Sequence, residues 1–126
     1  MTLSVKQLMA AANEAVPKIS VDEARKLLSK ENALLVDVRD GTEVAKSGKL
    51  KGATHVSRGM IEFKADAETP YHDPQFRKDR PVILYCASGG RSALAGKVLK
   101  DMGYGNVRNL GGFKDAADAG LETEPV

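Results

Sequence analysis

Residues 81–92 read Pro-Val-Ile-Leu-Tyr-Cys-Ala-Ser-Gly-Gly-Arg-Ser, and this stretch decides the fold. Its first half, 81–86, is an almost unbroken apolar run and the strongest strand signal in the chain. The small residues 87–90 predict a loop, and apolar residues at helical spacing predict a helix over 92–102. Gly103 then stands where helices commonly end in a left-handed residue. The stretch therefore predicts a strand, a loop and a helix, with a cysteine at the end of the strand.

The same two patterns alternate along the rest of the chain. Strands are predicted at 33–38, 53–56 and 106–110, and helices or helical turns at 5–16, 20–28, 41–48, 58–65 and 113–119. The polar segment 66–80 contains Pro70 and Pro74 and predicts a surface excursion. Strands that alternate with helices indicate an α/β fold with a central, mainly parallel sheet flanked by helices.

The length and the net charge of the chain indicate one domain and argue against a strongly charged partner. The chain has 126 residues and a formal net charge of +2. That length suits a single hydrophobic core, and we assign 1–17 to an N-terminal helical extension and 18–126 to the domain. The small net charge argues against nucleic acid as a partner. The oligomeric state stays open.

The apolar pattern predicts neither a membrane protein nor an exported protein. No apolar stretch approaches the roughly 18 residues that span a bilayer. The first residues lack the apolar core of a signal peptide and the arginines of a transit peptide, which predicts a cytoplasmic protein.

Cys86 is the single cysteine of the chain, and the two histidines, His55 and His72, lie in unrelated segments. No group of residues has metal-ligand spacing, so we expect neither a metal nor a cofactor. A lone cysteine is more often an unreactive core residue than a nucleophile. The choice between these two roles depends on the neighbours of Cys86.

The loop after Cys86 has the features of an anion-binding site. Ligands of α/β sheets bind at the carboxyl ends of strands, and the small residues 87–90 allow several backbone N–H groups to point inward. The following helix adds its positive N-terminal end, and Arg91 adds a permanent charge. We expect these contributions to lower the pKa of Cys86 below the usual ~8.5, which favours a nucleophile. Ser92 is expected to cap the helix, and its second open role is to donate to the sulfur.

Cys-x-x-Gly-x-Arg after an apolar strand resembles the active-site loop of the rhodanese family. Three further segments resemble that family in the same order: 35–40 (Leu-Val-Asp-Val-Arg-Asp) with Glu43, 48–53 (Gly-Lys-Leu-Lys-Gly-Ala), and 111–113 (Gly-Gly-Phe). Together they cover roughly residues 18–122. The chain departs from the family at Lys49, where a histidine is common, and near Ala116, where a tryptophan is common.

The resemblance implies a rhodanese-like domain with Cys86 and Arg91 as the catalytic residues. Substrate-binding roles are expected for the loop, its neighbours and one further arginine: Ala87, Ser88, Gly89, Gly90, Ser92 and Arg58. A surface role for Arg58 is equally expected.

Asp37, Arg39 and Glu43 are expected to support the structure. Asp37 ends a buried strand, so it should pair with a cation or with backbone N–H groups. Arg39 and Glu43 are expected to pair with each other.

The implied activity is that of a thiosulfate sulfurtransferase with a Cys86 persulfide as its intermediate. Its partners would be a small anionic sulfur donor such as thiosulfate and a thiol or cyanide acceptor, with a protein as a further class of acceptor. Because sulfite leaves without protonation, the loop needs no general acid.

Two other classes compete with this interpretation. The first is a cysteine-dependent phosphatase or arsenate reductase, which also uses a cysteine and an arginine around an anion site. Cysteine phosphatases of similar fold have one residue more between the two than the four of this loop. The second is a non-catalytic binding module, which Cys86 argues against because inactive relatives typically lose the cysteine.

Overall fold

Helices and strands alternate along residues 2–126, the part of the chain that the computed structural model describes. In chain order they are α1 (Val5–Ala15), α2 (Val21–Lys30), β1 (Leu34–Asp37), α3 (Gly41–Ser47), β2 (Lys49–Leu50), β3 (Thr54–His55), a 3₁₀ turn (Arg58–Met60) that leads into α4 (Ile61–Ala65), β4 (Val82–Cys86), α5 (Gly90–Asp101), β5 (Val107–Gly112), α6 (Phe113–Asp118) and β6 (Thr123–Glu124). The predicted α/β class is confirmed. Within the described residues, no helix combines the length and the apolar character that crossing a membrane requires.

The central sheet has four parallel strands in the order β3–β1–β4–β5. β4 lies inside it, and all five of its residues are buried, as its continuous apolar sequence requires. Side chains of a strand alternate between the two faces. Val82, Leu84 and Cys86 therefore enter one apolar layer, while Ile83 and Tyr85 enter the other.

α5 covers the face of the sheet that carries Cys86, and α1 packs on α5 from outside. Ser4 caps α1 by accepting the Gln7 N–H, and the Gln7 side chain accepts the Ser4 N–H in return. Ala12 and the following Val16 are buried. Only part of the predicted apolar stripe is buried, because Val5 and Leu8 are 70% and 42% exposed.

A second, antiparallel sheet pairs β2 with β6 and has no counterpart in the sequence prediction. Each strand has two residues, too few to show a periodicity. The Lys49 ammonium lies 3.0 Å from the Glu124 carboxylate across this pair. Lys49 therefore ties β2 to the C-terminal segment of the chain.

Candidate active site

Cys86 is the last residue of β4, at the carboxyl edge of the central sheet. Its side chain points to the α5 face, and the residue is 1% exposed. Ala87 and Ser88 directly after it are exposed. The sulfur therefore lies beneath the loop that connects β4 to α5.

Gly89 closes this loop onto the sulfur. Its φ of +102° is a left-handed conformation that favours glycine. A Cβ at this position would lie 3.3 Å from the Gly111 Cα, so the loop also approaches β5 closely. In this conformation the Gly89 N–H donates to Cys86 Sγ at 3.0 Å.

The hydroxyl of Ser92 is the second group within reach of the sulfur, at 3.5 Å from Cys86 Sγ. The expectation that Ser92 caps the helix is wrong. α5 begins two residues earlier, at Gly90, with Gly89 at its cap position and no side-chain cap. Ser92 lies inside the first turn and is fully buried, so its hydroxyl faces the sulfur and β5.

The pKa of Cys86 is lowered from its ordinary value. Burial raises the pKa of the thiol, but hydrogen bonds from the Ser92 hydroxyl and from the backbone N–H groups of Ser92, Ser88 and Gly89 outweigh it. These donors stabilise the thiolate more than the thiol. The arrangement is therefore suited to an anionic sulfur.

Arg91 forms an ion pair with α3. Its two terminal nitrogens lie 2.6 and 3.0 Å from the two carboxylate oxygens of Glu43. The pair lowers the pKa of Glu43 to about 2 and raises the pKa of Arg91. The positive charge expected from Arg91 is balanced by this carboxylate, and its catalytic role stays a prediction.

Arg39 pairs with Asp37 rather than with Glu43, so the predicted Arg39–Glu43 pair is also wrong. Arg39 donates from Nε at 3.0 Å and from Nη2 at 2.7 Å to the carboxylate of Asp37. Both side chains are buried, at 4% and 0% exposure. Arg39 also donates to the Gly48 carbonyl at 2.8 Å and stacks over the Phe113 ring. Asp37 and Arg39 thereby tie β1 to the ends of α3 and β5.

The end of β5 forms the back wall of the loop, a role that the sequence reasoning missed. A Cβ at Gly112 would lie 2.6 Å from the Ala87 carbonyl oxygen, so only a glycine permits this approach. Asn109 is 5% exposed and donates from Nδ2 to the Gly89 carbonyl at 3.1 Å. The Gly-Gly pair was a usable signal for Gly112, whereas nothing in the sequence marks Asn109.

Arg58 is placed at the start of its 3₁₀ turn, where its guanidinium lies 3.0 Å from the Glu62 carboxylate. Its substrate-binding role stays a prediction. A groove of about 500 Å³ borders the loop on the α1 side. It is lined by residues of the N-terminal segment, the loop and β5: Met9, Asn13, Val16, Lys18, Ser88, Gly89, Gly90 and Asn109.

Known proteins match this chain along most of its length. A family model described as a rhodanese-like domain matches residues 20–119. A sulfurtransferase from Allochromatium vinosum is 37% identical over 89 residues, which cover 71% of this chain and 75% of that protein. A thiosulfate sulfurtransferase from Actinobacillus succinogenes is 32% identical over 111 residues, covering 87% and 92%.

A solved structure extends the match to α1. It is a protein of unknown function from Rhodopseudomonas palustris, described as a possible tyrosine phosphatase, with a TM-score of 0.87 and 35% identity. The match covers 98% of this chain and 96% of that one. The sequence relatives support a sulfurtransferase of the rhodanese type, and the family model includes Cys86, its loop and the end of β5. The chain belongs to the rhodanese-like family.

Proposed function

We propose that the chain transfers a sulfane sulfur from a small anionic donor such as thiosulfate to a thiophilic acceptor through a persulfide on Cys86. The observation that carries the proposal is the set of donors around Cys86 Sγ, led by the Gly89 N–H at 3.0 Å. Together they lower the pKa of the thiol despite its burial. A thiolate is the nucleophilic form of cysteine.

In the first step the Cys86 thiolate attacks the outer sulfur of thiosulfate. A sulfur–sulfur bond forms to Cys86 Sγ, the original sulfur–sulfur bond breaks, and sulfite leaves with the electron pair of that bond. The exposed loop residues and the N-terminal end of the twelve-residue α5 favour an anion at this position. Cys86 is 1% exposed, which suits a donor small enough to enter the loop.

In the second step a thiolate or cyanide attacks the outer sulfur of the persulfide. The new bond forms to the acceptor, and the Cys86 thiolate leaves with the electron pair of the broken bond. No proton is transferred to the leaving group in either step. The same donors that stabilise the starting thiolate stabilise it again as the product.

The phosphatase alternative has one observation in its favour, since the structural relative from Rhodopseudomonas palustris is described as a possible tyrosine phosphatase. Two features of this site argue against phosphate esters. Glu43, the carboxyl group paired with Arg91, has a pKa of about 2 and is ionised at neutral pH, so it cannot protonate an alkoxide. The guanidinium that phosphatases aim at phosphate is here held by Glu43 at 2.6 Å.

Parallel assays with thiosulfate plus cyanide and with an aryl phosphate separate the two activities. We expect turnover of thiosulfate and negligible release of phenolate, because four loop residues enclose one sulfur rather than three phosphate oxygens. Hydrolysis of the aryl phosphate that is faster than sulfur transfer from thiosulfate would replace the sulfurtransferase proposal with the phosphatase.

The covalent route is tested by Cys86→Ser together with intact-protein mass spectrometry. Thiosulfate should add about 32 Da to the wild-type chain, and cyanide should remove it. The serine variant should show neither the adduct nor turnover while keeping its melting temperature within a few degrees, because the hydroxyl is smaller but fits the same space. Turnover in the serine variant would refute a persulfide on Cys86.

A further inference from the structure

Asn109 is a buried polar side chain that is hydrogen-bonded to residues at or beside the sulfur site: Ser92, Gly89 and Gly111. Its Oδ1 accepts from the Gly111 N–H at 3.0 Å and lies 2.8 Å from Ser92 Oγ. Its Nδ2 donates to the Gly89 carbonyl at 3.1 Å. The Gly111 N–H and the Gly89 carbonyl fix the orientation of the amide, since the N–H can donate only to Oδ1 and the carbonyl can accept only from Nδ2.

An irregularity of β5 aims Asn109 at the loop. Leu84 of β4 pairs with Asn109, but the next residue, Tyr85, pairs with Gly111. Leu110 is therefore an extra residue in β5, and Gly111 has a left-handed φ of +99°. Such bulges redirect side chains next to functional sites. This one places the Asn109 side chain and the Gly111 N–H on the same side, facing Ser92.

Ser92 has one hydroxyl proton and two acceptors for it. Asn109 Oδ1 lies at 2.8 Å and Cys86 Sγ at 3.5 Å. When the sulfur is a thiol, Ser92 donates to Asn109 over the shorter distance, and the S–H group donates to Ser92 Oγ. When the sulfur is an anion, the hydroxyl proton turns to it, and Asn109 Oδ1 keeps the Gly111 N–H as its donor.

We propose that Asn109 is a positioning residue for the sulfur site, because its Nδ2 holds the Gly89 carbonyl and thereby keeps the N–H of the same residue in place to donate to an anionic Cys86 sulfur. The proposal rests on the proposed function, since the sulfur is anionic both as the nucleophile and as the leaving group. It goes beyond that function by assigning a role to a residue of β5 that does not touch the sulfur.

The charged groups near the sulfur stay the same when the hydrogen bonds of Asn109 are removed. Arg91 is the cation that interacts with Cys86, and it is balanced by Glu43 and lies near Asp40. Lys18 lies against Gly111 and lines the groove beside the loop together with Asn109. Substitution of Asn109 by alanine changes none of these charges, so its effect on the thiol reports the lost hydrogen bonds.

The test is the pH dependence of iodoacetamide alkylation of Cys86, which needs no sulfur donor. In a Ser92→Ala background, where no hydroxyl proton is shared, Asn109→Ala should raise the midpoint by about 0.5 to 1 pH unit, which means roughly three- to tenfold less thiolate at neutral pH. In the same background, Asn109→Asp repels the Gly89 carbonyl and adds a negative charge. Its midpoint should rise further. If the alanine variant melts below the assay temperature, the aspartate variant decides.

Asn106→Ala is the matched control, because Asn106 precedes the same strand at its opposite end and its side chain accepts from Arg108. Its midpoint should equal that of the wild type. With Ser92 present, Asn109→Ala should cause a smaller upward shift, because loss of Asn109 Oδ1 also frees the Ser92 proton for the sulfur. An unchanged or lowered midpoint when Asn109→Ala is added to Ser92→Ala, or an equal shift with and without Ser92, would overturn the proposal. A chain that alkylates as expected but transfers no sulfur would instead refute the proposed function.

Discussion

Gly112→Ala tests whether the sulfur site depends on the contact between the loop and β5. Gly112 has φ −99° and ψ 142°, an extended conformation that alanine adopts without strain. The effect of the substitution is therefore steric. The new Cβ would lie 2.6 Å from the Ala87 carbonyl oxygen and 3.5 Å from the Ser88 Cα.

The size of the expected effect follows from these distances. Non-bonded heavy atoms are comfortable at about 3.5 Å, so the Ala87 peptide must move by about 0.9 Å or β5 must move away from it. Displacements of about 1 Å in a reacting group cost as much as ~100-fold in rate. We expect sulfur transfer to fall about 10- to 100-fold, because the moved loop carries the Gly89 N–H that donates to Cys86 Sγ. Overpacking of this kind also costs about 1–3 kcal/mol of stability.

Steady-state turnover with thiosulfate and cyanide, the alkylation midpoint of Cys86 and a thermal melt measure the three consequences. Gly105→Ala is the matched control, because a Cβ there meets no atom within 4 Å. The control should match the wild type in all three measurements. A Gly112→Ala variant with wild-type turnover and an unchanged midpoint would show that the close approach of β5 does not position the loop.

Two further predictions concern the ion pairs. Glu43→Gln should destabilise the fold at pH 7 by about 1 kcal/mol or less, because both side chains of the Arg91 pair are about a third exposed. Since the folded-state pKa of Glu43 is lowered to about 2, its stabilisation is present above pH ~4.5 and is lost as the pH falls toward 2. Urea melts at pH 7, 4.5 and 2.5 should therefore show a difference from wild type that shrinks with acid, and a constant difference would contradict this. Arg39→Met should cost about 3–5 kcal/mol, because it leaves the fully buried Asp37 carboxylate without its cation. A loss below about 1 kcal/mol in the same melts would show that the pair does not hold the fold.

Local patterns were sufficient for most of the architecture. The apolar run of β4, the small residues after it and the Ser20–Glu23 capping box each encode their element in neighbouring residues. Hydrophobic periodicity and capping act over a few positions, so the alternation of strands and helices, and hence the α/β class, is visible in the sequence. For the same reason Cys86 was placed at the end of a buried strand before a helix.

The partners of charged and polar side chains were decided by tertiary structure. Arg91 meets Glu43 across 48 positions of the chain, and Arg39 turns back to Asp37, although the sequence offers several acids to each arginine. Ser92 faces the sulfur because α5 begins at Gly90, and Asn109 reaches Ser92 because Leu110 is an extra residue in β5. Such contacts depend on where folding brings distant segments and on shifts of one residue in register, and neither leaves a local signal. Residue types and elements are therefore readable along the chain, whereas the hydrogen bonds that tune the Cys86 sulfur exist only once β4, α5 and β5 are packed together.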